Sequence, residues 1–158
     1  MGIAVIIILG ILAFAIFYGL QVRKQGTEMM ESGKIVKRQA EFYSRAELFT
    51  LRPVTSEEFN NAASDMSFPV QVSGQTRNVT FTSRNFEARL QMTECTDAYC
   101  VYRFLFSHWE GRHGIPDAGD LFTMNELLTD VEKLMLKLDP DTKVKTEEVE
   151  RKTSHKFF

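Results

Sequence analysis

No Lys, Arg, Asp or Glu occurs between Gly2 and Leu20, although 19 basic and 21 acidic residues follow. Cysteine is scarce as well, at two residues, which excludes a disulfide-dense mini-protein. Four prolines and nine glycines are too few for a collagen-like or Pro-rich chain. A formal net charge of −2 gives no basic excess to neutralise phosphates, so no nucleic-acid partner is expected. The sequence has no G-x-x-x-x-G-K-[ST] cradle and no G-x-G-x-x-G turn. A G-x-S-x-G elbow is missing too, and the C-x4-C spacing is not a redox C-x-x-C. The common nucleotide, hydrolase and thioredoxin signatures are therefore excluded, and no cofactor is implied.

What is present begins with the uncharged segment. Ile3 to Leu20 reads IAVIIILGILAFAIFYGL and is followed by Gln21 and Val22. Roughly 20 apolar residues span a hydrocarbon core, and only a helix satisfies its own backbone there. Residues 1–22 are accordingly read as a transmembrane anchor, with residues 3–22 in the bilayer and Tyr18 at an interface. A cleaved signal peptide is the competing reading, because Ala13-Phe14-Ala15 has a small-x-small pattern; it would want Lys or Arg before the apolar run. Arg23, Lys24, Lys34, Lys37 and Arg38 follow the span. By the positive-inside rule the rest of the chain then faces the cytoplasm, with an extracytoplasmic placement as the alternative.

Residues 23–33 read as a juxtamembrane connector broken by Gly26 and Gly33. Residues 34–151 read as one α+β domain, and residues 152–158 as a tail. Alternation from Val36 to Thr50 suggests a half-buried strand, although the composition also suits a stalk helix continuing from the membrane. Thr55-Ser56-Glu57-Glu58 is a capping box opening a short helix, with Phe59, Ala62, Ala63 and Met66 on its apolar side. Extended character returns at Pro69–Gly74 and Val79–Thr82. Phe86, Ala88, Leu90 and Met92 alternate with polar residues in the clearest strand, and Tyr99–Trp109 reads as a central one. Thr123-Met124-Asn125-Glu126 repeats the capping box before a helical stripe through Leu138. Asp139-Pro140 stops that helix, and Lys143–Arg151 suits a charged edge strand. The expected fold is an antiparallel sheet with two helices on one face, in a ferredoxin-like β-α-β-β-α-β layout.

Three groups of residues carry the candidate chemistry. Cys95 and Cys100 flank a hairpin tip. The register that buries Met92, Leu90 and Ala88 beside aromatic residues turns the two thiols to opposite faces unless a bulge intervenes. Free thiols are therefore preferred over a disulfide. His108, Glu110, His113 and Asp117 crowd a Gly-rich segment. Imidazole and carboxylate suit a metal ion, but the spacing matches no zinc motif and the glycines oppose a helix. Trp109 and Arg112 beside that segment, and Phe157 and Phe158 in the tail, are candidate interaction residues. The leading expectation is a single-pass, membrane-anchored α+β domain that binds protein partners without catalysis, with self-association among the options. The alternative is a tethered enzyme or metal-binding domain using the 107–120 loop.

Overall fold

The computed structural model describes residues 2–149, apart from the side chains of residues 2–7 and of Leu9. Phe157 and Phe158 lie outside these residues, as does the rest of the tail. The chain divides into two units, residues 1–37 and residues 38–158.

The first unit is built on one helix, α1 (Gly2–Glu31). It runs through the stretch expected to be a connector. One glycine costs a helix only about 1 kcal/mol, and Gly26 sits among good helix formers. Thr27 Oγ1 also donates to the Arg23 carbonyl at 3.0 Å, and Lys24 lies 3.8 Å from Glu28 one turn on. Among the described residues no helix is long and apolar enough to cross a membrane, so the expected span is not borne out there. Beyond Val22 the same helix carries Arg23, Lys24, Glu28 and Glu31, whose charges are costly in a hydrocarbon core.

The second unit is an α+β domain with a six-stranded antiparallel sheet. A single 3-10 turn (Phe42–Ser44) leads into β1 (Arg45–Leu51), so only the second half of the 34–50 segment is strand. Then come α2 (Ser56–Ser64), β2 (Gln71–Gln75), β3 (Asn78–Thr82), β4 (Phe86–Cys95), β5 (Cys100–Trp109), α3 (Ala118–Leu138) and β6 (Lys143–Glu148). The sheet order is β2-β3-β4-β5-β1-β6. Four strands separate α2 from α3, where the expected layout has two. The β2–β3 hairpin extends the sheet beyond β4.

One face of the sheet holds the core. Phe49, Phe81, Leu90, Tyr102, Phe104 and Phe106 are fully buried and join Phe59 of α2 and Leu127, Leu128, Leu134 and Met135 of α3 in a single cluster. Edge-to-face rings reinforce it: Phe104 and Phe106 lie 5.1 Å apart, and Phe86 and Phe106 5.8 Å. The first capping box forms as expected. Thr55 N–H donates to Glu58 Oε2 at 2.9 Å, and Glu58 N–H donates to Thr55 Oγ1 at 3.2 Å. The second does not cap. The α3 helix starts nearly two turns earlier, after Asp117, and Thr123 Oγ1 donates to the Gly119 carbonyl at 3.1 Å inside it.

The β4–β5 register decides the cysteines. Ala88 opposes Phe106, Leu90 opposes Phe104 and Met92 opposes Tyr102, which is the register that buries the apolar side chains. A shift between Met92 and Glu94 then sets Cys95 opposite Cys100, and the two are bonded with Cα atoms 4.0 Å apart. Thr93 is the extra residue that returns both cysteines to one face. The expectation of free thiols gives way.

Candidate functional site

The β5–α3 connection is the loop that sequence reasoning singled out. It folds back on itself through an antiparallel bridge between Arg112 and Ile115. His113 takes the left-handed region at φ 53°. Gly111 is required at the base of the turn, because a Cβ there would run into the Ile115 carbonyl oxygen and the Pro116 backbone. Trp109 closes the loop from below. Its indole Nε1–H donates to the Gly114 carbonyl at 2.8 Å, and its ring meets Tyr43 edge-to-face at 5.2 Å. Trp109 is thus tied to its own domain by both the polar and the apolar end of its side chain.

The loop does not gather its ionisable residues at one point. His108 is on β5, opposite Glu87 of β4. Glu110, His113 and Asp117 are exposed along the loop. Among the described residues, no three His, Cys, Asp or Glu side chains converge to hold a metal ion. Glu110, Arg112, Asp117 and Asp120 instead line a polar cleft of about 420 Å³ with Arg84 and Asn85. Asn85 Nδ2 donates to Asp120 Oδ2 at 3.0 Å, and Glu110 N–H donates to the Asn85 carbonyl at 2.8 Å, so the turn after β3 fixes the cleft wall. Nearby, Ser107 gives its hydroxyl proton to Glu87 Oε1 at 2.9 Å. That bond, with help from Arg89, holds the Glu87 carboxyl below its ordinary range. A serine committed to a carboxylate that prefers its charge is not an activated nucleophile.

A second polar assembly was not legible as such. The Arg38 side chain, only 10% exposed, reaches α3. Its guanidinium donates to Glu132 Oε1 at 2.9 Å and Oε2 at 2.7 Å, to Asn125 Oδ1 at 2.9 Å and to Thr129 Oγ1 at 3.0 Å. Glu47 of β1 stands in the same field. Burial raises the Glu47 carboxyl above its usual range, the Glu132 charge adds to the rise, and Arg38 opposes it. The sequence signal was the helical spacing of Asn125, Thr129 and Glu132, a polar stripe beside the apolar one. Arg38 itself reads from sequence as a membrane-flanking charge.

No protein-family model, curated protein or solved structure matches this chain. The chemistry of the surface therefore rests on geometry alone. It offers a mixed-charge cleft, a structural ion cluster and a stapled hairpin.

Proposed function

We propose that the chain is a single-pass, membrane-anchored α+β domain that acts as a non-catalytic interaction or assembly module. The observation that carries this reading is α1. Its described apolar side chains are exposed: Ile11 is 63% exposed, Phe14 70% and Phe17 61%. A helix that is apolar on all sides needs an apolar surrounding. In the sequence Ile3–Leu20 is an uncharged apolar run with about the length of a span. We read the sheet as a ferredoxin-like core with the β2–β3 hairpin added at its β4 side.

Of the two placements, we propose the extracytoplasmic one for the domain. A Cys95–Cys100 bond persists in oxidising compartments and is rare in reducing ones. The opposing argument was the basic flank after the span. It weakens because Arg38 is engaged with Glu132 inside the domain and Lys24 is offset by Glu28. Partner recognition would use the cleft of Arg84, Glu110, Arg112 and Asp117, whose alternating charges select for complementary charge on a protein surface.

Alkaline carbonate extraction of membranes from cells making the full chain tests the anchor. The expected result is retention in the membrane pellet, and loss of retention when Leu12 and Ile16 are both changed to Arg. Complete release of the unaltered chain into the supernatant would remove the anchor.

A further inference from the structure

The two edges of the sheet are chemically opposite. The β6 edge presents Lys143, Lys145 and Glu148, all exposed, which is how natural edges discourage pairing. The β2 edge presents Gln71-Val72-Ser73-Gly74-Gln75, with every residue exposed and none charged. No charged side chain on that strand opposes a further strand. Beside it, on the helix-covered face, an apolar cleft of about 240 Å³ is lined by Phe59, Ala63, Val72, Gly74, Val79 and Phe81. An unpaired edge with an adjoining side-chain groove is the arrangement used for strand addition.

We propose that the β2 edge is a homotypic interface, and that a second copy of this chain pairs its β2 antiparallel to it about a two-fold axis at Ser73. The strand is complementary to itself in that register. Ser73 meets Ser73 of the second copy. Gln71 meets Gln75, and amide side chains facing each other across a ladder can exchange hydrogen bonds. Val72 meets Gly74. Val72 is 47% exposed and lies on the groove side, as does Gly74. Gly74 holds a positive φ of 98° and must stay glycine, since a Cβ would meet the Asn78 carbonyl oxygen. Opposite Gly74, Val72 of the second copy meets no side chain and lies over the groove, which covers it. Extending the register outward sets Val70 against Thr76 and Pro69 against Arg77, so no charge opposes another. The contact is isologous and closes at two copies. This names a partner for the interaction module proposed above. It rests on the β2 edge alone and not on the membrane placement of α1.

Site-directed cross-linking of the full chain in mild detergent tests it. Opposed Cα atoms in an antiparallel pair lie about 4.5–5.5 Å apart, within disulfide range. Ser73→Cys is therefore expected to give a disulfide-linked dimer as the major species under mild oxidation. Gln75→Cys alone is expected to give little, because the two copies of position 75 would be offset by roughly 14 Å along the strands. Mixing Gln71→Cys chains with Gln75→Cys chains is expected to restore the dimer. Val72→Lys in the Ser73→Cys background is expected to cut the yield at least about fivefold, because an edge lysine opposes pairing. All these positions are exposed, so the domain folds in each variant. Equal yields from Ser73→Cys and Gln75→Cys would overturn the register. Yields unmoved by Val72→Lys would mean random collision and overturn the interface. Linkage of Ser73→Cys chiefly to a different protein would overturn the second copy as occupant. None of these failures touches the carbonate result, which reports on α1.

Discussion

Replacing Arg38 by Ala should be among the most damaging changes in the domain. The guanidinium is nearly buried and forms a two-pronged pair with Glu132, with further bonds to Asn125 and Thr129. Its charge also acts on a second carboxylate, that of Glu47. Removing one member of a buried ion pair costs about 3–5 kcal/mol, mostly because the remaining charge loses its partner without regaining water. The Glu132 side chain is 25% exposed and can recover part of its hydration, which sets the expectation at the low end, about 3 kcal/mol. With a urea slope of about 2 kcal/mol/M, the unfolding midpoint should fall by about 1.5 M. Trp109 is the only tryptophan, and its packing on Tyr43 makes its fluorescence a reporter of this domain. The assay is urea unfolding of the full chain in mild detergent, followed at Trp109. An Arg38→Ala, Glu132→Gln double variant should lose less than the two single losses added together, because the two groups act as one unit. A fall equivalent to less than about 1 kcal/mol for Arg38→Ala would refute the claim that this cluster locks the entry segment to α3.

Three further outcomes follow from particular side chains. Glu47 has a raised carboxyl pKa, so the folded state binds its proton more tightly than the unfolded state. That makes the domain lose stability as pH rises from the ordinary glutamate range toward the raised value, and Glu47→Gln should flatten this slope in urea midpoints taken from pH 4 to 8. Tyr102 is fully buried, its hydroxyl has no hydrogen-bond partner among the described residues, and burial pushes its pKa up to about 12. Tyr102→Phe should therefore stabilise by about 1 kcal/mol, and a loss of that size in the urea midpoint would show that the hydroxyl is satisfied. Reducing Cys95–Cys100 reopens a very short loop, and the chain-entropy relation puts the loss at about 2 kcal/mol, readable as a lower melting temperature in reductant.

Pattern carried most of the fold. Alternation at Phe86–Met92 and the aromatic run to Trp109 identified the central pair of strands, because a half-buried sheet forces period two on its residues. The Thr55 box identified the start of α2. The Thr123 box failed because the Asp117 turn offers an earlier start, and the single glycine there, Gly119, costs too little to prevent it. The first half of the 34–50 segment alternates without being strand, since Arg38 is pulled to α3 by a cluster that only the fold assembles. The cysteine pairing was hidden for a similar reason. One bulge residue, Thr93, lets the apolar register and the disulfide coexist, and bulges leave no clear mark in composition. Of the candidate loop residues, the glycine and proline pattern marked the loop itself, but whether His108, Glu110, His113 and Asp117 converge depends on the turn at Gly111, which spacing does not encode.

The most direct test of the membrane-held, outward-facing domain is labelling of intact cells with a membrane-impermeant thiol reagent, with and without prior reduction. Cys95 is exposed, so its sulfur becomes reachable once the bond to Cys100 opens. Labelling of intact cells only after reduction is the predicted result. Labelling that requires lysis and needs no reductant would contradict the account, placing reduced cysteines on the cytoplasmic side.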